Sequence, residues 1–192
     1  NGLALAEGKP RYVTALGQTD TPQGWREGKG TSGVLIDVDS GEIVASGLSM
    51  PHSPRIHAGK IWVLESGKGE LGVVDPASGR AETVARFPGF TRGLAFAGAY
   101  ALVGLSQVRE SVFSGLPLTE QVRERQCGVW ILDLRTAKTV GFLRFEEKVQ
   151  ELFDVQWLAG VRFPEIAEAG GELAGSTFIL PQAALAEVSL SS

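Results

Sequence analysis

Few side chains in this chain of 192 residues are equipped for chemistry, and they are spread along it: two His, one Cys, 18 Lys plus Arg and 22 Asp plus Glu. His52 carries an imidazole that titrates near neutrality and could act as base, acid or ligand. Ser53 follows it directly, but adjacency in sequence does not give the geometry of a Ser-His-Asp triad. Arg55, Arg92 and Arg109 carry planar guanidinium groups that match a carboxylate or phosphate bidentately. Trp25, beside Arg26 in a polar glycine-rich loop, is placed to contact a ligand. His57, between Ile56 and Ala58, reads as structural. Cys127 stands alone, so neither an internal disulfide nor a multi-Cys zinc site is expected. Two His do not make a His-rich transition-metal site. No cofactor is expected, although a calcium or magnesium ion held by Asp/Glu oxygens stays compatible with the composition.

Two glycine motifs look like nucleotide sites and are not. Gly67-Lys68-Gly69-Glu70-Leu71-Gly72 has the G-x-G-x-x-G spacing, but a dinucleotide site needs a helix to begin there. The next residues, Val73-Val74-Asp75-Pro76, read as a strand and a turn, so the glycines belong to a hairpin. Gly24-Trp25-Arg26-Glu27-Gly28-Lys29-Gly30-Thr31 is one residue short of a phosphate loop, and Gly30 separates Lys29 from Thr31.

Composition narrows the class further. A net charge of −4 argues against a nucleic-acid partner, which calls for a basic face. Hydrophobic residues make up 43%, enough for a core. No apolar run reaches the roughly 18 residues of a membrane span. The expected setting is the cytoplasm, with no membrane partner. Glycine, 25 residues in all, is spread along the whole length, as many tight turns require.

The elements that must position these side chains are short strands. Alternation and β-branched residues mark Arg11–Leu16, Gly33–Val38, Glu42–Ala45, Lys60–Leu64, Leu71–Val74, Glu82–Phe87, Leu94–Phe96, Tyr100–Gly104, Gly128–Asp133 and Thr139–Leu143. Three hairpins repeat one pattern: Ile36-Asp37-Val38-Asp39-Ser40-Gly41, Val74-Asp75-Pro76-Ala77-Ser78-Gly79 and Leu132-Asp133-Leu134-Arg135-Thr136-Ala137. Asp37 and Asp75 are 38 residues apart; Asp75 and Asp133 are 58 apart, which is 38 plus an insertion of 20. A second register agrees, since the string 1–8 resembles Arg92–Gly98 and Phe153–Gly160. A period of about 40 residues with four strands each is the pattern of a propeller blade.

The expected fold is therefore all-β, with β-propeller-like repeats of four-stranded antiparallel blades. Residues 1–48, 51–88 and 90–145 form three blades, and 149–166 begin a fourth. The third carries the insertion, 106–125, in which Leu118–Arg123 could make one or two helical turns. Residues 167–192 form an irregular tail, with a possible strand at Thr177–Leu180 and short helix at Gln182–Val188. Three or four blades leave an incomplete ring, because propellers use four to eight. Exposed sheet faces at the ends point to a homodimer or to association with missing blades.

In such an arrangement the innermost strands meet along one axis, and the polar groups leading into them crowd one mouth. Asn1, then His52, Ser53 and Arg55, then Thr91 and Arg92, then Glu151 and Asp154 occupy those places. A concave site of convergent polar groups is the default place to look for a ligand. The candidate ligand-binding residues are thus His52, Ser53, Arg55, Thr91, Arg92, Asp154, Trp25, Arg26 and Arg109, with no metal ligand and no catalytic residue assigned.

Several strings carry a resemblance to a known family. Tyr12-Val13-Thr14-Ala15-Leu16-Gly17 with Thr19-Asp20 and Trp25-Arg26, Ser49-Met50-Pro51-His52-Ser53-Pro54-Arg55, and Trp62-Val63-Leu64-Glu65-Ser66-Gly67 are three of them. Phe87-Pro88-Gly89-Phe90-Thr91-Arg92-Gly93-Leu94-Ala95-Phe96 and Val161-Arg162-Phe163-Pro164-Glu165 complete the set. In this order they resemble the DUF4915 family of uncharacterised bacterial proteins, over about residues 1–166. The resemblance implies no activity, because the family has none established. It does imply that members are longer, that this chain is similar to their C-terminal portion, and that the remainder supplies further blades.

Three functions compete on this reading. One is a module binding a small polar or anionic ligand at the mouth. A second is a protein-interaction platform, for which an exposed patch of Val112, Phe113, Leu116 and Leu118 would speak. The third is a truncated module that self-assembles without activity.

Overall fold

The computed structural model describes residues 2–107, 115–162 and 164–176. They divide into two compact units, residues 1–157 and 158–192.

The first unit is built from three four-stranded antiparallel sheets, each a simple meander. The first blade holds β1 (Gly2–Ala6), β2 (Lys9–Ala15), β3 (Gly33–Asp37) and β4 (Ile43–Leu48). The second holds β5 (Pro51–His57), β6 (Lys60–Glu65), β7 (Glu70–Asp75) and β8 (Arg80–Arg86), and the third β9 (Phe90–Ala97), β10 (Tyr100–Ser106), β11 (Cys127–Asp133) and β12 (Lys138–Phe145). The ten expected strands are all present, with ends moved by at most four residues. Two more, β1 and β5, did not read as strands. β5 contains Pro51 and Pro54, which remove two ladder donors. It is tolerated because β5 is the edge strand of its sheet.

Alternation on the strands stacks the sheets. Ile61, Val63 and Val74 face the first blade, meeting Leu35, Ala45 and Leu48. Their neighbours Trp62, Leu64 and Leu71 face the third, meeting Leu94, Val103, Leu105, Trp130 and Leu132. The middle blade is covered on both faces, which is why β6 reads as a nearly unbroken apolar run. Trp62 and Trp130 are core residues, as their mid-strand positions imply.

The turns repeat as the spacing requires. Asp37, Asp75 and Asp133 each end the third strand of a blade. Each carboxylate accepts the backbone N–H two residues on, from Asp39, Ala77 and Arg135, at 2.9–3.0 Å. Four residues after each Asp stands a residue of positive φ: Gly41, Gly79 and Ala137.

The insertion is anchored by helix α1 (Pro117–Gln121), shorter than expected. Leu116 and Leu118 are not an exposed patch: both are fully buried with Met50 and Phe90, while Leu16, Trp25 and Val122 pack around them. Leu118 N–H donates to the Gly67 carbonyl at 3.0 Å, tying the insertion to the β6–β7 hairpin. The glycines at 67, 69 and 72 serve that hairpin, with β7 and no helix behind them. Val112 and Phe113 lie outside the described residues. In the second unit, the described part contains a turn at 158–161 and helix α2 (Glu172–Ser176). The strand and helix expected beyond residue 176 lie outside the described residues.

Candidate functional site

The inner-edge strands β1, β5 and β9 lie side by side, and residues 150–157 pass beside Gly93 of β9 and the end of β10 without joining a strand. The polar residues expected in the loops leading to the inner strands stand within the strands themselves. The ladder pairs His52 with Leu64 and then Arg55 with Trp62, so β5 carries a bulge between them. Ser53 sits in that bulge at φ +48, a left-handed conformation unusual for a residue with a Cβ. Its counterpart in the third blade, one repeat later, is Gly93 at φ +85. The two are bonded: Gly93 N–H donates to Ser53 Oγ at 2.9 Å.

From this frame two arginines reach toward residues 150–157. Arg55 Nη2 stands 3.3 Å from Asp154 Oδ1, and the same side chain donates to the Pro54 and Leu3 carbonyls at 3.0 and 3.4 Å. Arg92 Nη1 lies 3.4 Å from Glu151 Oε1, with its guanidinium 4.4 Å from the Phe153 ring centroid. All four charged groups keep contact with solvent; the side chains of Arg55 and Asp154 are 26% and 50% exposed. Partly exposed ion pairs of this length each contribute little to stability.

The segment itself is held by a polar clasp. Ser106 Oγ accepts from Leu152 N–H at 2.9 Å and donates to the Leu152 carbonyl at 3.3 Å, while Gln107 N–H donates to the Gln150 carbonyl at 2.8 Å. Glycine makes the close approach possible. A Cβ on Gly93 would lie 2.7 Å from the Asp154 backbone, and one on Gly104 2.9 Å from the Val155 side chain.

Of the residues expected to form a site, the structure brings together Ser53, Arg55, Arg92 and Asp154. His52 is buried inside β5 and does not face solvent. Thr91 is also buried, and its hydroxyl donates to the Glu70 carbonyl at 3.3 Å. Trp25 and Arg26 lie in a short 3₁₀ turn, Gly24–Arg26, with Trp25 packed on the Met50 and Phe90 cluster. Arg109 and Asn1 lie outside the described residues. His57 has a structural role: Nε2 meets the Gly98 carbonyl at 3.0 Å and the ring stacks on Phe96. Ser106 and Phe153 escaped the sequence reading. One hides at a strand end before the insertion, and the other in a segment without alternation. The carboxylates that a calcium or magnesium ion would need, Glu151 and Asp154, face guanidinium groups instead. Among the described residues no three His, Cys, Asp or Glu side chains gather as metal ligands would. No helix among them is long and apolar enough to cross a membrane.

Fold and site together define an all-β protein of propeller-like four-stranded blades with a charged inner edge. The chain belongs to the family described as Domain of unknown function (DUF4915), whose model matches residues 1–167. No curated protein matches the chain. Among solved structures, the computationally designed Ika4 protein is 14% identical with a TM-score of 0.46, over 82% of this chain and 78% of that one. The computationally designed Ika8 protein is 13% identical with a TM-score of 0.45, over 82% of this chain and 39% of that one. The dihydro-heme d1 dehydrogenase NirN is 15% identical with a TM-score of 0.29, over 60% of this chain and 33% of that one.

Proposed function

We propose that this domain binds a small polar ligand bearing an anionic group, held at the inner edge of the blades by Arg55 and Arg92. One observation carries the reading. Guanidinium groups from two different blades each reach the same short segment, residues 150–157, in partly exposed ion pairs of 3.3 and 3.4 Å. The scaffold beneath them is stiff, with Ser53 in a strained conformation bonded to Gly93. Strain of this kind persists where the surrounding structure over-determines a site. The ligand class is a carboxylate or phosphate of metabolite size.

Calorimetric titration with citrate and with inorganic phosphate tests it. Saturable binding that Arg55→Ala and Arg92→Ala each weaken at least tenfold is the expected result. Absence of binding by either probe, or binding that both variants leave unchanged, refutes the reading. The interaction-platform reading loses its basis at Leu116 and Leu118, which are buried.

A further inference from the structure

We propose that residues 150–157 are a strap that competes with the ligand for the same two arginines. This rests on the ligand reading above and adds a regulation to it. The strap presents two carboxylates, Glu151 and Asp154, three residues apart, and each takes the arginine of a different blade. An incoming anion can claim both guanidinium groups only by displacing both carboxylates.

The attachments of the strap suit such an exchange. It joins no sheet, so no ladder holds it. Besides the two ion pairs, its fastenings include the Ser106 clasp, Gln107 N–H on the Gln150 carbonyl, and Val155 seated over Gly104. Phe153 covers the Arg92 guanidinium from the solvent side and is itself 67% exposed. Val155 N–H is satisfied within the strap, by the Asp154 carboxylate at 2.9 Å. Lifting the strap therefore exposes the carboxylate-facing side of both arginines, and water can take over the hydrogen bonds and ion pairs that this breaks. Exposed ion pairs contribute little each and weaken with salt. The strap thus holds the site shut at low anion concentration and yields as the anion rises.

Two variants separate the strap from plain electrostatics. Glu151→Gln with Asp154→Asn removes the competing charges, and Ser106→Ala loosens the clasp while leaving every charge in place. Hydrogen exchange at the Leu152 and Gln107 amides reads the strap, and calorimetry with citrate reads the site. Both variants should speed exchange at those amides and tighten citrate binding about three- to tenfold, while exchange in β6 and β10 before residue 106 stays unchanged. Citrate should speed the same amides in the unaltered protein. If Ser106→Ala loosens the strap but leaves citrate affinity unchanged, the strap is no competitor. Equal exchange in all three proteins also overturns the proposal. Citrate binding by none of them defeats the ligand reading, and the competition with it.

Discussion

Asp37, Asp75 and Asp133 show how one side chain type is used three times for one task. Each closes a hairpin by accepting backbone N–H groups, and the details then diverge. Arg135 bonds the Asp133 carboxylate at 2.8–2.9 Å and holds its pKa below the usual carboxylate range, with the Arg135 backbone N–H adding to the effect. Hydrogen bonds from Ser78, side chain first, and from Ala77 do the same for Asp75. A folded-state pKa below the unfolded one gives stability that is complete above the unfolded value, about 4. That stability is lost as pH falls through the folded value. Thermal melts between about pH 2.5 and 7 should therefore show a falling Tm below about pH 4. Asp133→Asn and Asp75→Asn should each flatten part of that fall while lowering Tm slightly at neutral pH. The effect of each is small, because Asp75 is partly exposed and the Arg135 that pairs with the buried Asp133 is itself largely in solvent. An unchanged acid limb in the double variant would show that other carboxylates govern it.

At the scale of elements, the insertion and the first blade's long loop share one apolar cluster above the sheets. Leu116 and Leu118 of the insertion, Trp25 of the loop, Met50 between blades and Phe90 at the start of β9 all meet there. One cluster thus ties three blades at one end. Leu118→Ala should cost about 2–5 kcal/mol in urea unfolding, the range for a buried leucine whose cavity cannot collapse. Trp25→Ala should destabilise as well, without any change in citrate binding. A Trp25→Ala protein of full stability that no longer binds would return Trp25 to the site. This cluster also marks where the sequence stopped being legible. Strand alternation, the Asp turns and the mid-strand tryptophans were readable because each obeys a local rule. Nothing local in Pro117-Leu118-Thr119-Glu120-Gln121 says that its leucine crosses to Gly67. Likewise β5 was obscured by its prolines, which local rules count against a strand. Arg55, Arg92 and Asp154 could be named because each lies in a string that the repeat brings to the inner edge. Their pairing could not, since it depends on how far the inner edges stand apart.

The blades of the first unit present two unlike ends. On the outward face of the first blade Leu3, Val13, Ile36 and Ile43 form one cross-strand row, with Leu3 and Ile43 42% and 46% exposed. Val13 and Ile36 there stand where Ile61 and Val74 stand in the second blade, and those two receive a neighbouring blade. On the outward face of the third blade lie Val129, Ile131 and Leu143, the last 59% exposed, with Val155 of the strap packed over Gly104 nearer the inner edge. Leaving about 400 Å² of such surface wet at each end forgoes on the order of 10 kcal/mol, as much as a domain's net stability. A second copy covers both ends, its first blade following the strap-bearing end of its partner, head to tail and closed by a two-fold axis. The expected species in size-exclusion chromatography with light scattering is thus a dimer at micromolar concentration. Ile43→Glu and Leu143→Glu alter side chains already exposed, so both proteins should fold, and each alone should be monomeric. An equal mixture of the two should regain dimer, because one of its two junctions is unaltered. A folded monomer of the unaltered chain, or a dimer indifferent to both substitutions, would exclude this assembly.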